Sequence, residues 1–233
     1  MIAFLSIVNM FNLICGIFSL LTSVLILKKD HKNWFNRLLF LTFFCWALNI
    51  FLYSFVYLAV VGEEIVNLLR DLNVFFGVTS AFFLLLSGYY LAYGAEEALR
   101  PRTIIFISLI TIVLILIALI NDNVVIVNLE SEIKTLFWGS ICIFIIPGLA
   151  ALMGVGFFFQ VYRRLEPGSP IRLRVLFFIL GALLLILGAI LFGLTGIIIP
   201  GQDDPILTYI STGLWALGPV CIVWGLYAVK TTE

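Results

Sequence analysis

The chain has 233 residues, 63% of them apolar and only 11% charged, with zero formal net charge and a mean hydropathy of +1.21. A water-soluble domain carries roughly 25% charged residues, and no soluble fold of this size has enough interior to hide so much apolar surface. Composition therefore excludes a soluble globular domain, makes lipid the solvent for most side chains, and leaves no expectation of a nucleic-acid partner.

Seven apolar stretches follow one another. A hydrocarbon core about 30 Å thick is crossed by about 20 helical residues, so spans are expected at 2–27, 38–62, 72–95, 103–121, 135–162, 175–200 and 206–229. The expected fold is an all-α integral membrane protein, one seven-transmembrane-helix bundle covering 1–233. The gap after span 1 holds Lys28, Lys29, Lys32 and Arg37; the gap after span 3 holds Arg100 and Arg102. Arg163, Arg164, Arg172 and Arg174 lie between spans 5 and 6, and Lys230 follows span 7. The alternate gaps hold only Arg70 and Lys134 among acids such as Glu63, Glu64, Asp71, Asp203 and Asp204. Positive charge marks the cytoplasmic side, which predicts a multi-pass cell-membrane protein with its N-terminus outside and its C-terminus in the cytoplasm. Span 1 has no basic residue before it and no small-residue cleavage pattern after it, so it reads as an uncleaved anchor.

Small and polar residues at helical spacing mark the faces that meet other helices. Span 1 offers Asn9, Asn12, Gly16, Ser19 and Ser23, and span 2 offers Trp46, Asn49, Tyr53 and Tyr57. Before span 3, Ile65, Leu68, Leu69 and Leu72 share a face, which predicts an amphipathic turn or two outside the bilayer. The gap 121–135 contains an extended-like Val-Val-Ile-Val run and is placed as a lid over the outer mouth, with 130–136 an early start to span 5. Span 5 offers Ser140, Pro147, Ala151 and Gly154, span 6 Gly181, Gly188 and Thr195, and span 7 Thr208, Thr212, Trp215 and Pro219. Pro147 and Pro219 each remove a backbone hydrogen bond and predict kinks. Cys15, Cys45, Cys142 and Cys221 all lie within spans and read as small packing residues with free thiols.

The chemistry is sparse. His31, the single histidine, sits in a basic loop. No set of axial ligands or metal-binding residues is spaced to converge, so no metal or other cofactor is expected. No acid or base falls at the middle of a span, and span 7 has no lysine before Lys230 to carry retinal. Nucleophiles such as Ser87 and Ser140 lack a histidine partner, so no enzyme is expected. The positive feature is a pair of stripes: Trp46, Asn49, Tyr53 and Tyr57 on span 2, and Tyr209, Thr212 and Trp215 on span 7. Two readings stay open for them, a largely apolar ligand pocket with a few orienting polar groups and plain interhelical packing. Arg163, Arg164, Arg172 and Arg174 face anionic headgroups or a docking partner at the inner leaflet.

Phe44-Cys45-Trp46-Ala47-Leu48-Asn49, Leu68-Leu69-Arg70-Asp71-Leu72-Asn73, and the stretch 172–188, where a basic loop leads into a glycine-containing helix, carry a resemblance. In these the chain resembles the N-terminal seven-transmembrane sensor region of prokaryotic histidine kinases. That resemblance implies a sensory input module that binds a small apolar or amphipathic signal and rearranges its helices. No kinase domain follows Lys230, so the implied form is a stand-alone one that signals to a separate cytoplasmic protein, with membrane lipids as further partners. Self-association and the identity of the ligand stay open. The alternative is a transporter, channel or lipid-handling protein, consistent with the glycine-rich spans 5 and 6.

Overall fold

Among the described residues three helices begin on a proline, which fits the first turn because its missing N–H would have had no partner there. The computed structural model describes residues 2–58, 63–127, 130–135, 138, 141–198 and 205–227. Among them, seven helices are long and apolar enough to cross a membrane. They are α1 (Ile2–Lys29), α2 (Trp34–Leu58), α3 (Glu63–Tyr93), α4 (Pro101–Asn121), α5 (Ile146–Arg164), α6 (Pro170–Ile198) and α7 (Pro205–Tyr227). A single helical turn, Ala95–Ala98, follows α3 after Gly94, whose φ of 87° breaks the rod.

Helix ends follow capping chemistry rather than hydropathy. Asn33 accepts a bond from the backbone N–H of Phe35 at 2.9 Å, so α2 starts at Trp34, with Arg37 inside its first turn and stacked 4.7 Å over the Trp34 ring. The hydroxyl of Ser169 accepts from the N–H of Arg172 at 3.3 Å just before Pro170 opens α6. Both helices therefore begin four or five residues before the charge-free stretches do.

The helices form a ring in the order α1, α2, α3, α5, α6, α7, closed by α7 against α1, with α4 outside against α3. Most of α4 is exposed, including Ile105, Phe106 and Ile120, while Leu114, Ile115 and Ala118 bury one seam with Val74, Val78 and Cys142. Close approaches are made by glycine. A Cβ on Gly88 of α3 would stand 2.3 Å from the carbonyl oxygen of Gly154 on α5, and Gly181 of α6 meets Gly218 of α7 in the same way at 2.6 Å. These contacts bring backbones together where lipid offers no hydrophobic drive for helix association.

Many buried hydroxyls turn back on their own helix. Thr42 bonds the carbonyl of Leu38, Ser54 that of Ile50, and Ser87 that of Leu84, at 2.8–2.9 Å. Other bonds cross between helices, among them Ser80 to the Thr42 carbonyl at 3.0 Å, Cys15 Sγ to the Thr212 carbonyl at 3.3 Å, and an Asn49–Asn73 pair.

One local expectation is corrected. The segment 130–136 does not start a helix early: Glu130–Thr135 is a strand, paired antiparallel with Asp122–Val127 in register Asp122 to Thr135. The β-branched run favours extended backbone, and the ribbon packs against the ends of α2, α3 and α4. The start of α3 at Glu63 is two-faced, as its sequence indicates. Ile65, Leu68 and Leu72 are exposed, whereas Val66, Arg70 and Asn73 are buried. With Leu68 57% exposed on a helix of this composition, the leucines face the surroundings and the polar residues face the bundle.

At the opposite end, cations cap α7. Lys29 donates to the Leu226 carbonyl and lies 5.2 Å over the Tyr227 ring; Arg174 donates to the Gly225 carbonyl at 3.3 Å. Tyr227 returns a hydroxyl bond to the Leu25 carbonyl at 2.7 Å. Helix C-terminal carbonyls have no partner within the helix and carry the negative end of the dipole, which is why these residues gather there.

Candidate functional site

Pro147 shapes the site. Its ring crowds the carbonyl four residues back and it lacks an N–H. The turn before it, Ile141–Ile145, widens into a π-helix that runs straight into α5. Such π turns often mark functional positions. Here the turn forms one wall of a cavity of about 420 Å³ enclosed by α2, α3, α5 and α6 and closed by Trp215 of α7.

The cavity is a slot with unlike ends. Along α3 it runs from Arg70 to Leu84, about 21 Å at about 1.5 Å per residue. Antiparallel α2 lines it from Tyr53 to Thr42. Arg70, Asn73, Asn49 and Tyr53 therefore gather at one end. The other end holds Thr42 and Ser80, whose hydroxyls are spent on carbonyls. Between them the walls are Val74, Val78, Leu185, Ile186 and the indoles of Trp46 and Trp215.

The polar end is held by a chain of bonds. Asn73 Nδ2 donates to the Asn49 carbonyl at 2.7 Å, and Asn49 Nδ2 donates back to the Asn73 carbonyl at 2.8 Å. Asn73 Oδ1 accepts from Arg70 Nη1 at 2.7 Å. The pair locks α2 to α3 and orients a guanidinium that is only 6% exposed, two turns into α3. The described lining carries that one cation and no carboxylate.

Trp46 and Trp215 meet edge to face with centroids 5.6 Å apart. Trp215 also sits on Gly188 of α6, where a Cβ would approach its ring to 2.7 Å. The buried indole N–H of Trp46 has no hydrogen-bond partner among the described residues, which leaves a donor in the wall of the slot. The slot is open on its flank: Ile145 of the π turn and Leu149 of α5 line it while 54% and 56% exposed, and Ile190 of α6 is exposed beside them.

Of the residues singled out in the sequence, Trp46, Asn49, Tyr53 and Trp215 line this slot. Thr212 and Tyr209 do not: Thr212 is buried against α1, its hydroxyl 3.5 Å from Asn12 Oδ1, and Tyr209 packs edge to face on Phe11. The side chain of Tyr57 lies outside the described residues, as do those of Asn9, Ser140, Thr195 and Thr208. At the basic end Arg163 and Arg164 are exposed, while Arg172 stacks 4.5 Å over Tyr162 and Arg174 caps α7. Sequence reasoning missed both Arg70, which it assigned to an outer gap, and Asn73, at the start of span 3, as site residues. Their signal was the stripe Val66, Arg70, Asn73, Gly77, Ser80 and Leu84, which keeps one helical face.

Among the described residues no three His, Cys, Asp or Glu side chains gather to hold a metal ion. No protein-family model and no curated protein sequence matches this chain.

Proposed function

We propose that this protein is a receptor-like membrane sensor whose ligand, a small amphipathic molecule, occupies the slot between α2, α3, α5 and α6. The observation that carries the reading is the slot itself: about 420 Å³, within the range of about 300–1,000 Å³ typical of ligand pockets, mostly apolar, with polar groups converging at one end. A binding role fits this lining better than catalysis, which needs an acid, base or nucleophile aimed at a reacting atom.

The slot is wired to the far end of the molecule. Trp215 touches both the slot and α6, and α7 runs from it to the carbonyls held by Lys29 and Arg174. A ligand that prefers one position of Trp215 shifts α7 by its differential affinity for the two positions. In the proposed orientation, N-terminus outside and C-terminus inside, that shift arrives at the cytoplasmic face, beside exposed Arg163 and Arg164. The resemblance to histidine-kinase sensor regions supports a separate cytoplasmic partner as its reader.

The test is a thermal-shift panel of lipids and metabolites on the purified chain and on Tyr53→Ala. A ligand that stabilises the first and not the second supports the reading; a protein that no member stabilises speaks against it. A second reading, lipid handling or transport, is favoured by the open flank between α5 and α6. Flux or scrambling in reconstituted vesicles promotes it, and the absence of both demotes it.

A further inference from the structure

The slot covers the depth of a single lipid leaflet, and it opens sideways at that same depth. From this juxtaposition we infer that its occupant is one alkyl chain of a membrane lipid, drawn from the leaflet opposite the basic end. The chain enters between α5 and α6. The inference rests on the proposed function, whose ligand it identifies by class and by route.

The depth follows from helix rise. Tyr93 ends α3 just before the charged turn that holds Glu96, Glu97 and Arg100, so it marks the basic surface of the membrane. At about 1.5 Å per residue, Leu84 stands about 14 Å above it and Asn73 about 30 Å above it. In a hydrocarbon core about 30 Å thick, Leu84 is then near the midplane and Asn73 at the far surface. The slot begins at headgroup depth, beside Asn49 and Tyr53, and ends about where the leaflet ends. A lipid of that leaflet slides in without turning over and without carrying its head into hydrocarbon. Its head keeps its level whatever its charge; only the chain changes neighbours.

The opening lies in the same leaflet. Toward the basic end α5 and α6 meet through Phe158 and Phe178, whose rings lie 6.3 Å apart. Farther along, Gly148 lines the slot with nothing within 4 Å of where its Cβ would stand, which leaves a gap in the flank wall. Exposed Leu149 and Ile190 flank that gap, about 21 Å from Arg163 and about 24 Å from Arg174 along their helices. Both are past the midplane, where the solvent is lipid chain. The walls select such a chain. They are aliphatic and aromatic beyond Asn49, and the hydroxyls of Thr42 and Ser80 at the deep end are bonded to carbonyls. Water needs polar partners to stay in such a space, and an unfilled one leaves its walls without dispersion contacts. About 420 Å³ takes one chain and not two, so a two-chain lipid keeps its other chain in the bilayer.

The experiment uses the purified full-length chain in phosphatidylcholine nanodiscs that carry a trace of photoreactive phosphatidylcholine. The probes bear a diazirine on one chain, either near the ester or near the terminal methyl, and sites of carbene insertion are read by mass spectrometry after illumination. The near-ester probe should label Val74, at the polar end, and the terminal probe Leu84, at the deep end. Gly148→Phe, whose ring fills the flank gap, should lower labelling of both at least about fivefold, as overfilling a packed space implies. Labelling of Phe106, on the exposed face of α4, should be unchanged. If Phe106 is labelled and the slot walls are not, or if the order along α3 is reversed, the lipid chain is overturned; the sensor reading then stands or falls on the thermal-shift panel alone. If the walls stay unlabelled and no panel member stabilises the protein, both fall. Should Gly148→Phe fail to fold, Ile190→Trp narrows the same opening from α6 and should give the same loss; labelling undiminished by it would overturn the route.

Discussion

Replacing Asn73 by alanine removes two bonds whose partners differ in kind. One is the donation to the Asn49 carbonyl at 2.7 Å, a neutral interhelical bond of about 0.6–2 kcal/mol. The other is the acceptance from Arg70 at 2.7 Å, a bond to a charged group of about 1.5–3 kcal/mol. The reciprocal donation from Asn49 survives, because its acceptor is the Asn73 backbone. Asn73→Ala should therefore cost about 2–5 kcal/mol. Asn49→Ala forfeits one neutral bond and should cost about 0.6–2 kcal/mol. Unfolding of both variants in mixed micelles of dodecyl maltoside and SDS gives the ordering directly. Equal costs for the two asparagines, or a loss below about 1 kcal/mol for Asn73→Ala, would refute the idea that Asn73 orients a buried guanidinium.

Three further outcomes are expected. Gly88→Ala drives a Cβ to 2.3 Å from the Gly154 carbonyl and should cost about 1–3 kcal/mol in the same assay, whereas Gly156→Ala, with open space around it, should be neutral or stabilising by up to about 1 kcal/mol. Tyr227→Phe removes the bond to the Leu25 carbonyl and should lower stability by about 0.5–1.5 kcal/mol, with fraying at the end of α7 visible as faster hydrogen exchange. Trp46→Phe deletes a buried N–H without a partner and should leave ligand-free stability within about 1 kcal/mol of wild type, while weakening ligand binding; a loss above about 2 kcal/mol would contradict the unpartnered indole.

Much of the architecture was legible in the sequence because hydropathy and small-residue stripes are set by the same physics that packs helices in lipid. Asn12, Gly16, Ser19 and Ser23 of α1 are all buried, and so are Pro147, Ala151 and Gly154 of α5. Charge-free length was a poor guide to helix ends, because Asn33 and Ser169 fix the starts of α2 and α6 in charged sequence. The first turns of α3 were legible as amphipathic, but which of their faces meets the bundle was not. In water, Ile65, Leu68 and Leu72 would turn inward; beside lipid they turn out and leave Arg70 and Asn73 inside. Half of the site could be read from the α2 stripe, since Trp46, Asn49 and Tyr53 do line the slot. The α7 stripe was divided by helix geometry: Trp215 faces the slot, while Thr212, three residues away, faces Asn12 of α1. The strand at Glu130–Thr135 needed its partner Asp122–Val127, a pairing that helical periodicity does not report.

Coupling between the slot and the basic end is open to one distance measurement. Nitroxides at His31→Cys and Glu166→Cys, both exposed positions in the loops before α2 and α6, report on that end once the four native cysteines are replaced by serine. Double electron–electron resonance in nanodiscs is recorded without ligand and with a saturating amount of a molecule that stabilises the chain in the thermal-shift panel. Repositioning of α7 should shift the distance distribution in wild type and leave it unmoved in Tyr53→Ala. An identical distribution with and without that bound molecule in the wild-type protein would contradict a sensor.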